Sequence, residues 1–261
     1  MSKKLAILNQ IFHPRSLICY LLTRRKLRRK SSTIISNQFE YNKILVVSLL
    51  LCGLSVLSIL FMDRALALAV HNSGLDSHLW LRKLTEGLPV LLLVLLVVVP
   101  LLTKWRNGKL SALLLSAYVY LGLKLTMEIK TGLKTIFGRY WTKTWINHNL
   151  SLIHDGVYGF NWWHGFGNQG SFPSGHSTYT AFCCLWLYIL QPRYKTIWLI
   201  LLIIMPLGLI ALDYHYLGDC LAGVALGAVC ALISAILWMR ISPFLTRKLT
   251  SIYYVGAGGK P

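Results

Sequence analysis

The sequence predicts an all-α membrane protein, a bundle of six spanning helices with a long loop between the third and the fourth. Three observations predict it. Of the 261 residues, 55% are hydrophobic and only 13% charged, about half the charged share of a soluble domain. The apolar residues come in long blocks, as a bilayer requires. The Lys and Arg residues collect on alternate loops, as a multi-pass chain demands.

The elements follow in order. Residues 1–43 hold ten of the 27 Lys and Arg. They include "SLICYLLTRRKLRRK", which reads as a helix lying in the membrane surface and anchored on anionic lipid. Ahead of a spanning segment this basic run does not read as a nucleic-acid site. The spans are expected near 44–62, 88–103, 110–128, 175–191, 195–212 and 217–240. Residues 44–241 form the membrane domain and 242–261 a C-terminal tail. With a cytoplasmic N-terminus, 19 of the 27 basic residues fall on the inner side, which fits the positive-inside rule. The loops at 63–87, 129–174 and 213–216 then face outward. The first long apolar run starts only after residue 43, too late for a cleaved signal peptide. The cysteines sit mostly in apolar segments and read as small buried hydrophobes.

Three polar clusters lie on that outer side, each at a helix end. The first is "KTIFGRYW", with Lys134 and Arg139. Both cations lie opposite the basic excess, so topology does not account for them. The second is Pro173-Ser174-Gly175-His176. Ser174 is a good N-cap, Gly175 lets a ligand approach the backbone, and free N–H groups at a helix start bind anions. His176 stands in that first turn, able to give or take a proton. The third is "DYHYLGD", with His215 and Asp219 four residues apart and so on one helix face. A carboxylate beside an imidazole sets its tautomer, as a nucleophilic histidine requires. Asp213, at i−2, would point away from His215 on a helix. Lys134 and Arg139 supply the fixed positive charge that phosphoryl transfer needs.

The order of these motifs on six spans resembles the type-2 phosphatidate phosphatase family, with its K-x6-R-P, P-S-G-H and S-R-x5-H-x3-D signature. The resemblance covers residues 44–240. It implies His215 as the nucleophile forming a phosphohistidine, Asp219 orienting it and His176 protonating the leaving oxygen. It assigns phosphate binding to Lys134, Arg139, Ser174 and Gly175, and implies no metal or other cofactor. Trp141 and Thr142 stand where the first motif has Arg-Pro, with Arg139 two residues early. Gly208 and Leu209 replace the Ser-Arg of the third. With one guanidinium missing, Lys134 and Arg139 are expected to carry more of the binding, assisted by Lys130 or Lys143.

The reading that follows is a metal-independent membrane phosphatase acting on a lipid phosphate ester or diphosphate. The resemblance implies phosphatidate, phosphatidylglycerol phosphate, an isoprenyl diphosphate or a lipid A phosphate as substrate. The expected place is the cytoplasmic membrane of a bacterium, with the site on the periplasmic face. A phosphotransferase using the same intermediate is the alternative within chemistry, and a non-catalytic lipid-phosphate binder the alternative outside it. His148, His154 and His164 match no zinc spacing.

Overall fold

The computed structural model describes residues 41–104, 109–144, 148–165 and 170–256. The chain divides into two units, Met1–Leu45 and Val46–Pro261, and all contacts below lie within the second. The interfacial helix and basic anchor expected before residue 41 lie outside the described residues.

Among the described residues eight α-helices follow: α1 (Tyr41–Phe61), α2 (Asp63–Ser73), α3 (Leu79–Lys104), α4 (Lys109–Phe137), α5 (Leu152–Asp155), α6 (Gly175–Leu190), α7 (Lys195–Ala211) and α8 (Leu217–Gly256). Among the described residues there is no strand. Two isolated bridges, Arg139 with Phe160 and Trp141 with Ser151, brace the 138–174 loop. Among the described residues five helices are long and apolar enough to cross a membrane: α1, α3, α4, α7 and α8. With 16 residues, α6 is about 24 Å long and falls short of a ~30 Å hydrocarbon core.

Helix ends depart from the hydropathy boundaries. The segment 63–87, expected as loop, contains α2 and the first turns of α3. Arg82 donates to Glu86 across 2.9 Å, an i,i+4 pair that suits a helix outside the apolar zone. Likewise α4 continues nine residues past 128, with Lys130 and Lys134 turned inward and buried. At its other end α8 runs through Pro243 to Gly256, into the expected tail. Helix needs satisfied backbone, not uniform apolarity, so hydropathy marks the membrane and not the helix.

The bundle is apolar outside as well as inside. On α1, Leu49, Leu50, Leu57, Leu60 and Phe61 are exposed while Ser48, Ser55 and Ser58 are buried. Small polar residues face protein and large apolar ones face lipid, the membrane inverse of a soluble helix. In the core, Leu92 and Leu96 of α3, Leu123 of α4, Phe182 and Trp186 of α6, and Met205 and Leu209 of α7 interlock. At the centre, α6 packs on α3, α4, α7 and α8, most extensively on α8. Two glycines of α8 permit that approach. A Cβ on Gly223 would stand 2.6 Å from the Ser174 carbonyl oxygen, and one on Gly227 would overlap the carbonyl of Thr178. The start of α6 is thereby pressed against the start of α8.

Candidate active site

Five segments, the loop that bears Trp141 among them, converge on one cavity of about 550 Å³. The last turns of α4 bring Lys130 and Lys134, one turn apart and therefore on one face. The first turn of α6 brings Gly175 and His176, and the turn before α8 brings Tyr214 and His215. Arg82, Glu86 and Pro89 of α3 close the opposite wall.

Each group is held from behind. Ser174 caps α6 by accepting from Ser177 N–H, while its own N–H donates to the Asp219 carbonyl at 3.0 Å. Asp219, fully buried, stands at the third position of α8 and accepts from Tyr216 N–H at 3.3 Å. That reach-back bond is half of a capping box. Its Oδ2 also lies 3.4 Å from Nδ1 of His215. With Nδ1 turned to the carboxylate, Nε2 of His215 is the nitrogen left for the cavity. Burial pushes His215 below the ordinary imidazole value, against the opposing pull of Asp219. The ring therefore stays neutral, and so nucleophilic, at neutral pH.

Trp141 is where the motif has arginine. It lines the cavity, its ring 5.2 Å from the His215 ring and 4.8 Å from Lys134 Nζ. An indole face under an ammonium is a favourable cation–π contact. Leu209, at the other missing arginine, is a fully buried core residue.

Of the residues expected on phosphate, Lys134 and Gly175 line the cavity, and Ser174 and Arg139 do not. The Ser174 side chain is spent on its cap. Arg139 is buried behind Asp219. Its Nη1 donates to Asp219 Oδ1 at 2.5 Å and its Nη2 to Asp63 Oδ2 at 2.7 Å, and its guanidinium lies 4.2 Å from the Tyr216 ring centre. Burial works against the charge, but the carboxylates of Asp219 and Asp63 outweigh it and hold Arg139 above its ordinary value. Of the two assisting lysines, Lys130 lines the cavity, while Lys143 is bound to Asp76 across 2.5 Å.

Asp213 faces away from the cavity chemistry, with His71 Nδ1 3.1 Å from its Oδ2. Among the described residues, His71, Asp76 and Asp213 are the group that could present three ligand atoms to an ion. The loop histidines are not in it. Nδ1 of His154 accepts from Thr144 N–H, and that of His164 lies 2.6 Å from the Trp162 carbonyl.

Sequence reasoning missed Arg82, Glu86 and Asp63, because all three fall in the stretch taken as loop or at its edge. The signal was present: Arg82 and Lys83 fall in the loop expected on the same side as Lys134, apart from the basic excess.

The family model described as the PAP2 superfamily matches residues 110–242, from α4 through most of α8. A lipid A 1-phosphatase of Rhizobium johnstonii is 29% identical over 143 residues, covering 53% of this chain and 55% of its own length. A lipid A 1-phosphatase of Rhizobium etli is also 29% identical over 143 residues, covering 53% and 58%. The chain thus matches little more than half the length of these curated relatives. A solved PAP2-type phosphatidylglycerolphosphate phosphatase from Bacillus subtilis is similar with a TM-score of 0.47 and 18% identity, over 77% of this chain and 96% of its own.

Proposed function

Because the chain belongs to the PAP2 superfamily, we propose that it is an integral membrane phosphatase that hydrolyses the phosphate ester or diphosphate of a lipid. One arrangement carries the reading: a neutral histidine backed by a buried carboxylate shares a cavity with a second histidine, two lysines and a helix start. Nε2 of His215 attacks phosphorus, and the bond from phosphorus to the lipid oxygen breaks. His176 gives that oxygen its proton, and Asp219 steadies the imidazolium character that develops on His215. Water then attacks the phosphohistidine, His176 takes its proton, and inorganic phosphate leaves. Lys130, Lys134 and the N–H groups opening α6 offset the charge on the equatorial oxygens.

A lipid substrate suits a cavity lined mainly from the ends of apolar helices long enough to cross a membrane and from the turn before α8. Phosphatidate, phosphatidylglycerol phosphate, an isoprenyl diphosphate and lipid A form the test panel, the curated relatives being lipid A 1-phosphatases. Protein purified in detergent should release phosphate from at least one of them. Release from none would overturn the reading.

The proposal includes six crossings. His215 follows the end of α7, so α7 begins a helix length away on the far side. His176 opens α6 at the cavity, so α6 connects the two sides. Even as a short helix it then crosses, in a locally thinned bilayer. The basic excess would be cytoplasmic, the N-terminal segment would rest on anionic lipid, and the site would open on the outer face of the inner membrane. Residues 1–43, 44–241 and 242–261 remain the proposed anchor, catalytic domain and tail.

Two expected results bear on the mechanism. A general acid contributes about 10²–10⁴ in rate. His176→Ala should therefore slow an alkyl lipid phosphate about 100-fold or more while barely slowing an activated aryl phosphate. Equal losses on both would remove the acid role. The reaction should also persist in EDTA, because lysines and helix-start amides meet the phosphate charge. Loss in EDTA restored by one added metal would refute that and return attention to His71, Asp76 and Asp213.

A further inference from the structure

We propose that Asp63 is a positioning residue for this reaction: through Arg139 it keeps the Asp219 carboxylate aimed at His215 and leaves that carboxylate its charge. The inference rests on the phosphatase reading above. Asp63 lies outside the residues matched to the family, at the first position of α2.

Its bonds leave it little freedom. Oδ2 accepts from Arg139 Nη2, while Oδ1 accepts from Ser58 Oγ at 2.6 Å and from Gly218 N–H at 2.9 Å. Gly218 immediately precedes Asp219, so Asp63 holds both the guanidinium against Asp219 and the backbone that carries Asp219. The space for it exists because residue 218 is glycine: a Cβ there would stand 2.7 Å from Asp63 Oδ2. Tyr158 completes the joint. Its hydroxyl accepts from Arg139 Nη2 at 3.2 Å and donates to the Ile59 carbonyl at 2.8 Å.

The electrostatic consequence is specific. An arginine paired with Asp219 alone would cancel the charge that His215 needs beside it. Sharing the guanidinium between two carboxylates leaves the triad one negative charge, and His215 is the neighbour that profits. Burying three charges is costly, and packing alone does not call for them.

Asp63→Asn keeps the shape and removes the charge. In the full chain in detergent, kcat should fall about 10-fold or more with KM within about twofold. The midpoint of His215, followed by NMR titration, should move to lower pH by about half a unit. The sign follows because an anion that favours the imidazolium is gone. Lys134 of α4, Arg139 beyond it, His176 of α6, Glu86 of α3 and Asp219 of α8 are unchanged in the variant, so the shift belongs to Asp63. A lowered melting temperature with kcat and the His215 midpoint unmoved would overturn the proposal. If Asp63→Asn does not fold, Gly218→Ala decides. It displaces the carboxylate without removing it, and a wild-type kcat there would also overturn the proposal. Should the wild-type protein release no phosphate from any lipid, the phosphatase reading fails, while the NMR midpoint still tests the coupling of Asp63 to His215.

Discussion

His215→Ala should abolish phosphate release on every lipid of the panel, by about 10⁴- to 10⁶-fold as for loss of a nucleophile. The protein should still fold. His215 sits in a turn, its ring touches Trp141 and one carboxylate, and no helix depends on it for a cap. Melting in detergent should therefore stay near wild type while turnover disappears. Brief exposure of wild type to lipid labelled in its phosphate should leave acid-labile label on the protein, and none on the variant. Near-normal turnover by His215→Ala would end the mechanism, whatever the other variants do.

The second large effect belongs to Arg139, and it is twofold. Arg139→Ala strands Asp63 and Asp219 in a site with no water-exposed side-chain surface. Breaking such a buried group typically costs about 3–5 kcal/mol, and the loss should appear as a large fall in melting temperature. Activity should fall at least 100-fold in kcat/KM, roughly 2.7 kcal/mol of transition-state stabilisation. Lys134→Ala supplies the contrast. It should lose as much in kcat/KM, since Lys134 lines the cavity, with little loss of melting temperature. Lys143→Ala should leave catalysis near wild type, because Lys143 serves Asp76. Normal melting of Arg139→Ala together with a rise confined to KM would show that the guanidinium binds phosphate directly.

What was legible in the sequence is what local spacing encodes. Ser174 ahead of an apolar run reads as a cap, and the structure places it so. His215 and Asp219 at i,i+4 read as one helix face, but His215 sits in the turn before α8 and Asp219 meets it by reaching back from the helix start. Lys130 and Lys134 read as neighbours for the same reason. The long-range half was hidden. Nothing at 139 announces a carboxylate 76 residues earlier in the chain, so the ion pair of Arg139 with Asp63 was not legible beside its expected place on phosphate. Arg82 and Glu86 were lost to hydropathy, which ends a span at the first charges although a helix continues through an i,i+4 pair. Trp141 was seen only as a missing arginine, since no spacing rule shows one ring facing both a lysine and a histidine.

Backbone lies on backbone where α8 passes α6, and this divides the molecule's future changes into two kinds. Gly223 and Gly227 are not among the residues lining the cavity and carry no polar side-chain atom, yet a single methyl at either would run into a carbonyl at the start of the helix that bears His176. Drift in sequence at that seam is closed. Arg82, Glu86 and Pro89, which line the cavity from α3, stand apart from that seam. Substitutions at those three positions would change the cavity lining without adding an atom to the contact between α6 and α8.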